Sequence, residues 1–144
     1  MVRVALDQLV LNKFMNKEQI INIINEYQLD KSKFIVISGA ALVLLDIKKK
    51  ANDIDICCGI DYYNYLLREY PCELERINEF GEKAYMINGI INFGTSFCPQ
   101  TIEIIEGIRC SSLKDIIELK KFLNRDKDKL LIKKLEKILK RGVK

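Results

Sequence analysis

The spacing of apolar residues along this chain changes between helical and extended periods. Between Asn16 and Tyr27 they recur at helical spacing, and Gln19 stands where it can complete a capping box with Asn16. This pattern predicts an amphipathic helix that begins after Asn16 and buries one face. The preceding residues 3–14 are apolar but irregular, and they predict at most one or two helical turns.

A buried strand and a second helix are predicted next, joined by a turn of small residues. The apolar run Phe34–Ile37 predicts the strand, and the turn follows at Ser38 and Gly39. The next apolar stretch, Ala40–Leu45, predicts the start of the helix. Small residues at such a turn let the backbone approach a ligand, and amides at the start of a helix suit a phosphate group.

Two carboxylates, Asp53 and Asp55, interrupt the next apolar run. Alternate side chains of a strand share a face, so both carboxylates are expected to point the same way while Ile54 and Ile56 enter the core. Neighbouring like charges repel, and Asp is a poor strand former. A divalent cation would offset that cost, because Mg²⁺ binds one or two carboxylates together with substrate phosphates. The alternative is a capped loop followed by a surface acid.

The second half of the chain predicts a helix, a hairpin, a strand and two further helices. The Asn-Gly pair between two apolar runs is the hairpin signal. In order, the elements are a helix over 61–70 ended by Pro71, a hairpin of Lys83–Ile87 and Ile90–Phe93, a strand at Thr101–Ile105, a helix from Ser112 to about Leu123, and a last helix capped by Asp126 with a buried stripe of Leu130, Leu131, Leu135 and Ile138.

These elements predict an α+β fold, a short mixed β-sheet flanked by helices with two helices at the C-terminal end. The 144 residues are 49% apolar, which favours a single domain over 1–144 with its own core. No apolar run approaches the roughly 20 residues that cross a bilayer, and no secretory segment begins the chain. We therefore expect no membrane association and a cytoplasmic location.

Residue usage limits the chemistry that the chain can perform. There is no histidine, which leaves carboxylates, Lys, Tyr and Cys as reactive groups. The five cysteines are odd in number and form neither a disulfide framework nor a zinc pattern, so a reducing setting is expected.

Positive charge is concentrated in two places, although the net charge is only +4. Three lysines stand in the polar loop 46–52, which is either a solvated loop or a source of one triphosphate ligand. More lysines occupy 129–144, as the solvated face of a terminal helix or as a surface for nucleotide phosphates or nucleic acid. No aromatic residue interleaves with the latter, which argues against single-strand binding.

The order of these motifs resembles the minimal nucleotidyltransferases of the polymerase-beta superfamily, closest to the group around abortive-infection toxins and antibiotic nucleotidyltransferases. In that group a small-residue turn opens a helix, and a carboxylate-hydrophobic-carboxylate strand follows. The matching segments are Ser38-Gly-Ala-Ala-Leu42, Asp53-Ile-Asp-Ile56, Ile116-Ile-Glu-Leu-Lys120 and Arg125-Asp-Lys-Asp128.

The resemblance implies Mg²⁺-dependent transfer of a nucleoside monophosphate from an NTP to an acceptor hydroxyl. Asp53 and Asp55 would hold the metal ions. Glu103, which lies in a later apolar run, would be a third carboxylate that completes the metal site or takes the proton of the acceptor. Glu106 competes for this role, but a strand would place it on the opposite face from Glu103.

For the nucleotide, the resemblance implies contacts from Ser38, Gly39, Lys49 and Lys120 to the phosphates. The family often has Arg-x-Thr-x before its first aspartate, where this chain has Lys49 and Ala51, so the charge is kept and a hydroxyl is lost. Lys120 is otherwise one lysine of a polar helix face. Arg125 and Asp128 are otherwise a structural ion pair between two helices.

The identity of the acceptor does not follow from the sequence. The candidates are an RNA end, a protein side chain as for a toxin, and a small molecule such as an antibiotic. The short chain also makes a homodimer or a partner protein plausible. The departures from the family pattern favour a second hypothesis, a catalytically inactive nucleotidyltransferase-like protein that binds a nucleotide or a partner. A third, a basic nucleic-acid-binding module, would bind with a steep salt dependence.

Overall fold

The computed structural model describes residues 14–142, which form an α+β fold with one mixed sheet of seven strands, as predicted. The helices are α1 (Lys17–Glu26), α2 (Ser38–Leu44), α3 (Ile60–Glu69), α4 (Leu113–Leu123) and α5 (Lys129–Lys140), with a 3-10 turn at Asp126–Asp128. The strands are β1 (Phe34–Ile37), β2 (Ile54–Cys58), β3 (Cys72–Ile77), β4 (Lys83–Ile87), β5 (Ile91–Gly94), β6 (Ile102–Ile105) and β7 (Ile108–Ser111). The turns expected over residues 3–14 lie outside this part of the chain except for Phe14.

The strand that carries Asp55 lies in the middle of the sheet. The strand order is β3-β4-β5-β2-β1-β7-β6. Strand β2 pairs antiparallel with β1 and parallel with β5, and β1 pairs parallel with β7. Because neighbouring strands pair with both edges of β2, the surroundings of Asp55 depend on which layers cover the two faces of the sheet.

One face of the sheet forms the core beneath α1, α2 and α3. Phe34, Ile54 and Phe93 are fully buried there. Helix α3 places Tyr62 against Phe34 and Tyr63 against Phe93, with ring centres 6.4 Å and 5.6 Å apart. Burying a side chain of this size contributes about 1.5–3 kcal/mol. The opposite face is only partly covered, and it carries Asp55.

Local signals set several element boundaries as predicted. At the start of α1, the Asn16 side chain accepts a hydrogen bond from the Gln19 amide, and the Gln19 side chain accepts one from the Asn16 amide, both at 2.9 Å. Ser112 caps α4 by accepting from the amide of Asp115 at 3.2 Å. The hairpin between β4 and β5 turns through Asn88 and Gly89, both with left-handed φ angles of 52° and 68°.

Other expectations are wrong. Strands β3 and β7 were not predicted. Asp126 does not cap the last helix, because it lies in a 3-10 turn. Helix α5 begins after Asp128, whose side chain makes no capping hydrogen bond. Leu130 is 67% exposed, whereas Leu135 is buried. The reason is that α5 packs mainly on α4, so only a narrow stripe of its surface is covered. Within residues 14–142 no helix combines the length and hydrophobicity needed to span a bilayer.

Candidate active site

The two aspartates lie at the start of strand β2. Asp53 stands immediately before the strand, and Asp55 lies within it, opposite Ile37 of β1 and Asn92 of β5. Ile54 on the other face is completely buried. The strand is therefore held in register by its apolar side, which leaves Asp55 on the partly open face.

The environment of the aspartates disfavours their negative charge. Burial raises the pKa of Asp55 to about 7, and the neighbouring charge of Asp53 acts in the same direction. Burial also raises the pKa of Asp53, and the charge of Glu75 adds to the effect. The Oδ1 atom of Asp55 is buried and has no hydrogen-bond partner among the described residues. An unsatisfied buried acceptor costs about 1–3 kcal/mol, and more when charged, so this oxygen is available to a cation.

A cleft of about 200 Å³ opens over Asp55. It runs between the β3–β4 hairpin and the C-terminal end of α4, and it contains both charged and apolar surface. Its lining includes Ser38, Asp55, Arg76, Asn92, Phe97, Lys120 and Arg125. A carboxylate surrounded by cationic side chains can bind a divalent ion together with a polyanion.

The turn after β1 is built differently from the expectation. Helix α2 begins at Ser38 itself, and Ser38 has the left-handed φ of 59°, whereas Gly39 does not. A non-glycine residue in this region carries backbone strain of about 1 kcal/mol or more. Ser38 lines the cleft, so the predicted site residue lies close to Asp55.

The loop lysine beside the site is Lys48 rather than Lys49. The Nζ atom of Lys48 lies 3.7 Å from the position that a Cβ on Gly39 would take. Its charge acts on Asp53 and partly offsets the burial that raises the pKa of that aspartate. Lys48 and Lys49 are both exposed, and neither is among the residues that line the cleft. The contact from Lys49 stays a prediction, and Lys48 is a second candidate from the same loop because its charge acts on Asp53.

Lys120 and Arg125 reach the cleft from the junction of α4 and α5. The Arg125 guanidinium holds Asp128 Oδ2 through Nη2 at 2.6 Å and Nε at 2.7 Å, which confirms the predicted ion pair. Lys120 Nζ lies 3.7 Å from Asp128 Oδ1. Burial lowers the pKa of Lys120, and the charge of Asp128 opposes that change. One buried carboxylate therefore positions two cations at the cleft.

Glu103 does not join the aspartates, so the expectation that it lies beside them is wrong. It pairs with Cys110 on β7, which pairs with Val36 on β1, which in turn pairs with Ile56 on β2. Paired residues share a face, so Glu103 faces the same side as Ile56. That is the side opposite to Asp55, because adjacent residues of a strand point in opposite directions.

Glu75 of β3 is an acidic side chain that acts on both aspartates. Burial is the largest cause that raises the pKa values of Asp53 and Asp55, and the charge of Glu75 raises both further. Glu106, the competitor for the third role, lies in the β6–β7 turn with a φ of 53°. Across residues 14–142, no three or more Asp, Glu or Cys side chains form a group able to hold a metal ion.

Sequence reasoning missed Glu75 and Arg76 because it did not predict β3. A signal was present: Cys72-Glu-Leu74 alternates apolar and polar residues, and the adjacent charges Glu75 and Arg76 then break the alternation. Such a break is typical of a bulge in a strand. Only the tertiary structure shows that the charge of Lys48 acts on Asp53.

A second cavity of about 220 Å³ adjoins the cleft and shares Ser38, Lys120 and Arg125 with it. The segment 95–101 separates the two cavities, with Phe97 in a left-handed conformation (φ 62°) lining both. A disulfide between Cys57 and Cys98 ties this segment to β2. The sequence predicted no disulfide framework, and this pair forms because two segments that are 41 residues apart meet on one sheet face.

Comparisons of the chain with protein-family models, with curated proteins and with solved structures give no match.

Proposed function

We propose that this protein is a Mg²⁺-dependent nucleotidyltransferase that moves a nucleoside monophosphate from an NTP to an acceptor hydroxyl. One observation carries the proposal: Asp55, with a buried and unpartnered oxygen, faces a cleft whose walls carry cationic side chains. A purely structural role would leave that oxygen hydrogen-bonded. The sequence resemblance to minimal nucleotidyltransferases agrees with this arrangement.

Asp53 and Asp55 are the residues that would hold Mg²⁺. Carboxylate oxygens are preferred ligands of this ion, and the unpartnered Oδ1 of Asp55 fits the need for a cation. When bound, the ion would neutralise charge on the transferring phosphate group. A cation beside Asp53 and Asp55 would also remove the repulsion between the two carboxylates.

Phosphoryl transfer needs positioning and charge neutralisation more than covalent help from the protein. Lys120 and Arg125 would bind the phosphate chain from one wall of the cleft, and Lys48 would do so from the loop before β2. The acceptor would enter the adjoining cavity. Its oxygen attacks the α-phosphorus, the bond from the α-phosphorus to the bridging oxygen breaks, pyrophosphate leaves, and the proton of the acceptor passes to water.

The test is calorimetric titration of the four NTPs with and without Mg²⁺, because it requires no knowledge of the acceptor. We expect wild type to bind at least one NTP in a Mg²⁺-dependent manner and Asp55→Asn to lose that binding. Asp61→Asn is a matched control, since Asp61 is exposed at the start of α3. Unchanged Mg²⁺-dependent binding in Asp55→Asn would refute the assigned metal site.

A second candidate function, nucleotide or partner binding without turnover, is favoured by the position of Glu103 on the opposite sheet face. It predicts nucleotide binding that does not require Mg²⁺. Incubation with α-labelled NTP and cell extract distinguishes the candidates: label transferred to RNA, to protein or to a small molecule identifies an acceptor class, and transfer to RNA or protein would agree with a toxin-like activity. Wild type that binds NTP but transfers no label supports the binding function.

A further inference from the structure

Strand β3 contains an irregularity that changes the direction of one cationic side chain. Leu74 pairs with Tyr85, and Arg76 pairs with the next residue of β4, Ala84, so Glu75 is an extra residue without a partner of its own. In a regular strand Arg76 would share the face of Leu74. The bulge instead places Arg76 on the face of Ala84.

The face of Ala84 is the face of Asp55. Ala84 lies beside Gly94 of β5, with 3.5 Å between the Ala84 Cβ and the position that a Cβ on Gly94 would take. Both residues line the cleft over Asp55. Because they are small, they leave open the path that a long side chain from β3 would follow toward the centre of the sheet.

The residue of β3 on this face is Arg76. Strand β3 is separated from β2 by two strands, which corresponds to about 14 Å at the usual strand spacing. Arg76 nevertheless lines the cleft, and its charge reaches Asp55, where it opposes the rise in pKa that burial causes. Among the described residues Arg76 forms no ion pair and no side-chain hydrogen bond.

Arg76 lines the cleft and has no partner among the described residues. Its guanidinium can therefore donate hydrogen bonds to a ligand. Arg125 and Lys120, on the opposite wall, are already positioned by Asp128. Cationic side chains from two different parts of the fold line the cleft, which suits a ligand with several anionic groups in a row rather than a single anion. Guanidinium binds phosphate through two parallel hydrogen bonds, so Arg76 also fixes the orientation of such a chain.

We propose that Arg76, aimed by the β3 bulge, binds the phosphate chain of the donor nucleotide from the sheet edge, opposite Lys120 and Arg125. This inference rests on the proposed function and adds a substrate-binding residue from a strand that the metal site does not include. Bulges beside active sites are known to redirect single side chains in this way.

The experiment is calorimetric titration of inorganic tripolyphosphate and of Mg·ATP in the presence of Mg²⁺. The variants are Arg76→Gln, Arg76→Lys and the control Arg68→Gln. Arg68→Gln is a suitable control because it removes the same charge from α3, where the Arg68 guanidinium lies 5.8 Å from the centre of the Tyr65 ring. Thermal melting of each variant verifies that the fold is kept, as expected for an exposed side chain.

We expect Arg76→Gln to bind tripolyphosphate and Mg·ATP about tenfold more weakly than wild type, the effect of losing one charged hydrogen-bonded pair. Arg76→Lys should be intermediate, and Arg68→Gln should equal wild type. Equal affinities of Arg76→Gln and Arg68→Gln, with wild type binding in a manner that Asp55→Asn abolishes, would overturn this inference alone. Failure of wild type to bind either probe or any NTP would overturn the proposed function as well.

Discussion

Replacing Asp55 by Asn is expected to stabilise the fold at neutral pH while it removes metal-dependent nucleotide binding. Burial is the largest cause that raises the pKa of Asp55 from 3.8 to about 7. Each pH unit of such a change corresponds to about 1.4 kcal/mol, so the ionised carboxylate destabilises the folded protein by about 4 kcal/mol. Asn has nearly the same shape and carries no charge, so the substitution removes this cost.

The direction of the pH dependence follows from proton binding. Below about pH 4, Asp55 is protonated in both the folded and the unfolded state, and the two proteins should have similar stability. Between about pH 4 and pH 7 the unfolded chain loses this proton and the folded protein retains it, so the free energy of unfolding of wild type falls as pH rises. Above about pH 7 the difference between the proteins is complete and constant.

Urea denaturation of wild type, Asp55→Asn and the control Asp61→Asn at several pH values, all with a metal chelator, measures this difference. A second series with Mg²⁺ and NTP should stabilise wild type and leave Asp55→Asn unchanged, because only a folded state that binds the ligand is stabilised. If the wild-type and Asp55→Asn stabilities ran parallel from pH 4 to pH 8, the reasoning about a buried, unpaired carboxylate would be refuted.

Three further changes test the fold. Reduction of the Cys57–Cys98 disulfide by a dithiol should lower the free energy of unfolding by about 4 kcal/mol for its separation of 41 residues; a Cys98→Ser variant that still responded to the reductant would contradict this origin. Asn16→Ala should lower the free energy of unfolding, measured by thermal melting, by about 1 kcal/mol because the capping box is lost. An unchanged free energy of unfolding would mean that the cap does not stabilise the fold. Asp128→Ala should lower the free energy of unfolding, measured by urea denaturation, by about 3–5 kcal/mol, because Lys120 loses its partner. The variant should also bind tripolyphosphate more weakly, and full affinity would show that the position of Lys120 does not depend on Asp128.

Features that depend on neighbouring residues were predictable from the sequence. The capping box at Asn16, the hairpin at Asn88-Gly89 and the opposite faces of Ile54 and Asp55 each arise from backbone preferences or side-chain alternation over a few residues. Because these interactions are local, the same residues produce the same geometry in many folds.

The third carboxylate was not predictable in this way. Glu103 and Asp55 stand in similar apolar surroundings, and only the register through β7 and β1 shows that they face opposite sides. A shift of one residue in a strand pairing reverses every side chain of that strand. The hydrophobic pattern of a short strand such as β6, with partly exposed isoleucines, does not determine that register.

The sequence by itself therefore determined the class of fold and the strand that carries Asp55. The tertiary structure decided which distant side chains act on the aspartates: Lys48, whose charge acts on Asp53, and Arg76, which a bulge places in the lining of the cleft. The physical reason is that local patterns specify which way a side chain points relative to its own strand. Only strand order, register and bulges specify which other side chains it meets there.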